Sequence, residues 1–346
     1  MIANIKCSHD RSKKDSEPSN GSKSDALYLD KLEQLDTVNV DGGYRGLQQK
    51  LQKRAKKKTI TKILMGSLMK LGSPLASKYA LTYGFCAEQL LHEGQKTTSR
   101  YCGYRWCPVC NAIRTAKLIN GYRSAFLKFG NPYLVTLTAP SVHISLLSDE
   151  LARYEATWSA IRKYYRTLKN RNQVSFGFDG IRKLEVTPRP GNYSHPHFHL
   201  IVDGYEQAKF IKYQWMARMP DADKRFQDIR QADNSSLMEL FKYVTKFWSM
   251  DKSTGKPIIG TPYQMDQIFQ ALVGKRTINS FGCVKMVSDK VENLQSETTD
   301  ITPRNDISVW NQAVMDWIDT YGECVSGYRP TDKDKQLIEQ LNTYKK

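Results

Sequence analysis

Three of the chain's six histidines fall within five positions, His195-Pro196-His197-Phe198-His199, and run directly into the apolar stretch Leu200-Ile201-Val202. Side chains alternate with a period of two along extended chain, so His197 and His199 should project to one side of a sheet while Phe198 faces a core. Two imidazoles on a rigid strand supply half of a divalent-metal site. A surface strand with idle histidines fits the same pattern, so the reading needs further ligands. Glu185, in Lys183-Leu184-Glu185-Val186-Thr187, lies on an expected neighbouring strand and can bring a carboxylate to the same side. His195 is the alternative third ligand, less favoured because Pro196 distorts the strand where that ring must align. Either set leaves positions open for substrate oxygens, which suits Mg²⁺ or Mn²⁺ engaging a phosphate.

A second ligand group lies upstream. Cys102, Cys107 and Cys110 are closely spaced, Cys107-Pro108-Val109-Cys110 has knuckle spacing, and Cys86 precedes them. Four thiolates suit a structural, tetrahedral Zn²⁺, with His92 a possible substitute ligand. A reversible dithiol and plain buried thiols are the alternatives. Cys7, Cys283 and Cys324 carry no spacing signal. Arg105 and Arg114 flank the cluster and could present charge to a phosphate backbone.

The candidate nucleophile is Tyr243. Leu237, Leu240, Phe241, Val244, Phe247 and Trp248 recur at helical spacing and predict a helix over 237–248 with that side buried. Glu239, Tyr243 and Lys246 fall within about 60° of one another on the opposite side. A phenol is a poor nucleophile unless a metal, a base or a positive neighbour assists it, and Lys242 or Lys246 could stabilise a phenolate or a phosphate. Glu239 could accept a proton from water or from the tyrosine. Ser236-x-x-Glu239 also has the pattern of a helix capping box, and Tyr243 could be a half-buried surface aromatic.

These groups need elements to position them. Tyr133–Thr138 reads as a strand stopped by Ala139-Pro140, 148–169 as an amphipathic helix, and Ile181–Thr187 with His197–Val202 as a hairpin. Strands interrupted by helices predict an α+β fold: a central antiparallel sheet flanked by helices, with a cysteine-rich zinc-binding segment. The reading divides the chain into a weakly ordered extension (1–48), a basic segment (49–80), a cysteine-rich basic segment (81–129), a core (130–285) and a C-terminal helical extension (286–346). The run Lys53, Arg54, Lys56, Lys57, Lys58 reads as a phosphate contact or a solvated helix face.

A 346-residue chain with a formal charge of +17 can bury a full core and most often meets a polyanion. No run of about 18 apolar residues suggests a membrane span, and no apolar leader is evident, so the expected location is the cytoplasm.

In these residues the chain resembles the replication initiators of small rolling-circle plasmids, within the His-hydrophobic-His single-strand endonuclease superfamily. Tyr133-Leu-Val-Thr-Leu-Thr138, His195-Pro-His-Phe-His199 and Glu239-Leu-Phe-Lys-Tyr243-Val-Thr-Lys246 match in the family's order, and the resemblance covers roughly 80–285. It implies an RRM-like sheet core, metal binding by His197 and His199 with Glu185 at the acidic position, and covalent attack on origin DNA by Tyr243. It also implies that Glu239 activates the water that releases the protein. The cysteines match an upstream stretch of the same group, and Leu272-Val-Gly-Lys275-Arg276 resembles its C-terminal region, with both cations expected to meet DNA. The substrate implied is single-stranded or unpaired origin DNA, whose bases can stack on aromatic side chains. No Gly-Lys-Ser/Thr phosphate loop is present, so a separate host helicase is the expected partner. Related transposases and mobilisation relaxases share this chemistry, and a non-catalytic, zinc-stabilised DNA-binding protein remains the rival from another class. The first 80 residues have no counterpart in the resemblance, and Phe247-Trp248-Ser249 stands where many members are more polar.

Overall fold

The computed structural model describes residues 44–93, 96–241, 248–250, 257–286, 296–298 and 307–343. Its helices are α1 (Tyr44–Leu68), α2 (Ala76–Phe85), α3 (Pro108–Phe126), α4 (Leu147–Asn170), α5 (Tyr205–Arg218), α6 (Asn234–Phe241), α7 (Pro262–Leu272) and α8 (Asp332–Thr343). Its strands are β1 (Gln89–Glu93), β2 (Lys96–Ser99), β3 (Pro132–Thr138), β4 (Val142–His143), β5 (Gly180–Arg189), β6 (Tyr193–Asp203) and β7 (Asp228–Gln231). The chain continues through β8 (Trp248–Met250), β9 (Pro257–Ile259), β10 (Ile278–Phe281), β11 (Ser296–Thr298), β12 (Ile307–Asn311) and β13 (Asp316–Ile318). No described helix is long and apolar enough to cross a membrane.

The period-two pattern of residues 180–203 folds as one long antiparallel hairpin, closed by Gly191 and Asn192 at φ of 71° and 60°. Those two residue types tolerate the left-handed region that this turn requires. The hairpin is the centre of a sheet ordered β10-β5-β6-β3-β7, with β4 paired to β6 and every described pairing antiparallel. One face contributes Val135, Leu137, Leu184, Val186, Phe198, Leu200 and Val202 to the main core. Tyr154, Trp158, Ile161 and Tyr165 of α4, Ile211 and Trp215 of α5, and Ile268 and Phe269 of α7 cover that face. The aromatic stripe of α4 is therefore core, as its spacing suggested, and the fold is α+β with a central antiparallel sheet flanked by helices.

The second sheet, ordered β11-β2-β1-β12-β13, joins distant parts of the chain. Gln89, Leu90 and Leu91 pair with Val309, Ser308 and Ile307, and Leu337 and Leu341 of α8 pack on Ile63 of α1. Residues 286–346 are thus not a helical extension: their described part contributes strands as well as the expected terminal helix.

Two further expectations need correction. The basic run of 49–59 lies on α1 and is split: Arg54 and Lys58 are buried, 7% and 0% exposed, whereas Lys53 faces solvent. The Lys58 ammonium donates to the Cys86 carbonyl at 2.5 Å and to Glu88 Oε2 at 2.7 Å, so it holds the cysteine segment rather than a phosphate. The helix expected over 237–248 begins earlier, at Asn234; Phe241 is its last described residue, and Trp248 lies in a strand. The amino-terminal segment 1–43 lies outside the described residues.

Candidate active site

The β5–β6 register sets Glu185 opposite His197 and Lys183 opposite His199, while β3 places Thr138 and Thr136 beside the same two histidines. All six positions share one sheet face, opposite the main core. His197 Nδ1 lies 3.2 Å from the His195 carbonyl oxygen. A carbonyl only accepts, so in the neutral ring Nδ1 carries the proton and Nε2 offers a lone pair. That Nε2 faces Glu185 Oε1 at 3.5 Å. His199 repeats the arrangement: Nδ1 is 3.2 Å from Thr136 Oγ1, and Nε2 is 3.9 Å from Glu185 Oε2.

Electron-rich atoms converging this way favour a cation between them, and outer partners on Nδ1 are what metal-binding histidines use to fix the ring. Ligand bonds of about 2.1 Å at octahedral to tetrahedral angles hold donor atoms about 3.0–3.5 Å apart, so small shifts would close the group on an ion. Glu185 is 1% exposed and each histidine 8%, which buries the carboxylate and leaves the imidazoles at the accessible edge. Donor set and spacing therefore fit a divalent ion that keeps positions open for another ligand.

His195 stands apart from this group. Its Nε2 is 2.8 Å from Thr138 Oγ1 and its Nδ1 3.3 Å from Ser141 Oγ, so hydroxyls engage both nitrogens. Burial, aided by neighbouring His197, lowers its pKa to about 4 and keeps the ring neutral. The metal-capable group is Glu185, His197 and His199, without His195. Lys183, which the sequence reading passed over, donates to Glu185 Oε2 at 2.6 Å and is fully buried. The alternation that singled out Glu185 applies equally to a position two residues earlier.

α6 reaches the same sheet face. Leu240 and Phe241 pack with Leu134, Ile181 and Ile201, and Ile201 lies two positions along β6 from His199. Thr115 Oγ1 on α3 donates to the Phe241 carbonyl at 2.9 Å, and the Tyr122 ring stacks on Phe241 at 5.5 Å. Asp233 caps this helix: its Oδ1 accepts from Ser236 N at 2.9 Å, and Ser236 Oγ accepts from Asp233 N at 3.1 Å. This reciprocal pair overturns the Ser236–Glu239 capping reading. Glu239 is instead on the exposed side of the helix, ion-paired with Arg230 of β7. Lys242, Tyr243 and Lys246 lie outside the described residues.

The cysteines converge as well. Cys86 follows α2, Cys107 precedes α3, Cys110 lies in its first turn, and Cys102 comes from the loop after β2. Cys86 Sγ is 3.5 Å from Cys107 Sγ and 3.4 Å from Cys110 Sγ, and Cys102 Sγ is 3.5 Å from Cys110 Sγ. A tetrahedron of Zn–S bonds has edges of about 3.8 Å, and the Gly103 amide donates to Cys110 Sγ at 3.3 Å, so four-sulfur coordination fits. Burial pushes the Cys107 thiol well above its usual pKa, and a bound cation would hold it as thiolate. His92 is not in the group; its ring nitrogens meet Thr97 and Ser308 hydroxyls.

The flanking arginines act largely as struts. Arg105 donates to the Lys275 carbonyl at 2.5 Å, and Arg114 to the Gly103 carbonyl at 2.6 Å. Thr277, next to Arg276, accepts from Leu184 N at 2.7 Å, so the cysteine loop grips the edge of the sheet beside Glu185. Lys275 is half-buried and Arg276 exposed.

A family model described as Replication protein matches residues 94–217, which include β3, β5, β6 and the Glu185, His197 and His199 group. No curated protein and no solved structure matches the chain. The histidine strand and the carboxylate beside it thus lie in the part of the chain that is similar to replication proteins.

Proposed function

We propose that the protein is a plasmid replication initiator that nicks and rejoins one DNA strand at an origin to start rolling-circle replication. The observation that carries this reading is the buried Glu185, His197 and His199 group on one sheet face, inside the span matched as a replication protein. A divalent ion, Mg²⁺ or Mn²⁺, bound there would polarise the scissile phosphate.

In the proposed reaction the Tyr243 phenol oxygen attacks phosphorus and forms a tyrosyl 5′-phosphate ester. The bond to the 3′ oxygen breaks, and the phenol's proton passes through solvent to the departing 3′-hydroxyl. Lys246 and Lys242 offset negative charge on the phenolate and the phosphate. The ester retains a reactive bond, so a 3′-hydroxyl can reverse the step and reseal the strand. Glu239 activates the water that releases the protein at termination, once its carboxylate leaves Arg230. Support for Tyr243 comes from Phe241, two residues earlier in sequence, which packs on the sheet face that carries the histidines. Exposed Arg276 is proposed to meet the DNA backbone, with Lys275, Arg105 and Arg114 contributing positive field around it.

Incubation with labelled single-stranded origin DNA tests the reading. Mn²⁺-dependent cleavage is expected from the unmodified chain and lost when His197 and His199 are both replaced by alanine, with DNA binding retained. Cleavage that persists in the double variant would reject the metal centre.

A further inference from the structure

Lys183 has no role in the reaction above, yet its side chain lies fully buried against the carboxylate of the candidate metal centre. Its Nζ is 2.6 Å from Glu185 Oε2, the same oxygen that lies 3.9 Å from His199 Nε2. The other carboxylate oxygen, Oε1, lies 3.5 Å from His197 Nε2. Ile278 pairs with Lys183 from the neighbouring strand, and Ile181 precedes it by two residues on the same face. The ammonium is thus held inside the sheet, against the carboxylate.

We propose that Lys183 is a built-in counter-cation of this centre: it balances Glu185 in the metal-free protein and, by sharing the carboxylate, keeps divalent-ion binding weak enough to exchange. This rests on the reading that Glu185, His197 and His199 hold a divalent ion. A carboxylate 1% exposed is costly to bury as an anion without a cation beside it, and Lys183 supplies one within the same strand, 2.6 Å away. The site is then pre-formed before any metal arrives. When a divalent ion enters, it shares one carboxylate with an ammonium, and the two like charges repel at short range. Lys183 accordingly acts as a positioning residue that lowers affinity, whereas an ordinary structural lysine would raise affinity by ordering Glu185.

The two roles predict opposite signs, which calorimetric titration of the full chain with Mn²⁺ reads directly. Mn²⁺ suits the purpose because it favours oxygen and nitrogen over thiolate ligands. Lys183→Met is expected to bind Mn²⁺ about ten-fold more tightly than the unmodified chain. Its thermal midpoint without metal should fall, and added Mn²⁺ should raise that midpoint more than in the unmodified chain. Lys183→Arg, which keeps the charge, should bind as the unmodified chain does. Should Lys183→Met not fold, Lys183→Gln carries the same comparison, since its amide can still donate to Glu185. Equal or weaker Mn²⁺ binding in the folded neutral variant would overturn the proposal while leaving the metal centre intact. Absence of Mn²⁺ binding in the unmodified chain, matched by the His197→Ala, His199→Ala double variant, would remove the metal centre and this proposal with it.

Discussion

His197 and His199 would be ordinary buried histidines if their Nδ1 atoms, rather than their Nε2 atoms, faced Glu185. The His195 carbonyl and the Thr136 hydroxyl set that choice. Thr136→Val keeps the strand's shape and removes one of the two partners. It should weaken Mn²⁺ binding by about ten-fold, measured by calorimetry, because ring-orienting partners contribute on that scale. Unchanged affinity would mean that His199 needs no such partner. Glu239→Ala should still nick but release DNA-bound protein slowly, measured as persistence of the covalent adduct; normal release would leave Glu239 with its Arg230 ion pair alone. Glu185 was legible in the sequence because period-two alternation carries it to the histidine face. The exclusion of His195 was not, because it depends on Ser141, which reaches the ring from beyond the end of β3.

At the scale of elements, the β5–β6 hairpin follows from local signals: apolar alternation on both arms and a Gly-Asn turn. The start of α6 and the strand at Trp248 do not. Helical periodicity runs on to Trp248 in the sequence, but Asp233 starts the helix early and Trp248 pairs with Ile259 in a strand. The Phe241 carbonyl takes its hydrogen bond from Thr115, 126 residues away, a contact that local pattern cannot announce. α3, whose first turn carries Cys110, therefore holds the last described residue of α6, two positions before Tyr243 in sequence. Removing the hydroxyl with Thr115→Val should cost about 1 kcal/mol and slow adduct formation several-fold, with Mn²⁺ affinity unchanged. A nicking rate equal to that of the unmodified chain would separate α3 from the nucleophile's placement.

Across the whole molecule, the sheet built on the cysteine segment is closed by strands from the far end of the chain. Trp317 Nε1 donates to the Ala87 carbonyl at 3.0 Å across 230 residues, and Trp310 packs in the cluster that contains Cys86, Cys107 and Cys110. Such non-local pairing has no periodicity to betray it, so the partnership of the terminal strands with the cysteine segment was not legible in sequence, while the cysteine spacing was plain. Freshly purified protein is expected to carry one zinc per chain, and stripping it should lower the melting temperature and expose the tryptophans, read by fluorescence. Protein with no zinc and undiminished stability would refute the four-sulfur site. Buried Asp266 ties α7 to α2, accepting from Tyr79 Oη at 2.6 Å, Ser73 Oγ at 2.5 Å and Gln270 Nε2 at 2.7 Å. Asp266→Ala should cost about 2–4 kcal/mol by denaturant unfolding, because it strands the buried Tyr79 and Ser73 hydroxyls.

The most direct measurement of the central claim is the covalent adduct. Mn²⁺ and labelled single-stranded origin DNA should yield a protein–DNA ester whose peptide map assigns the linkage to Tyr243, and Tyr243→Phe should give none. An adduct of equal yield in the phenylalanine variant, or one mapped to another residue, would contradict the account.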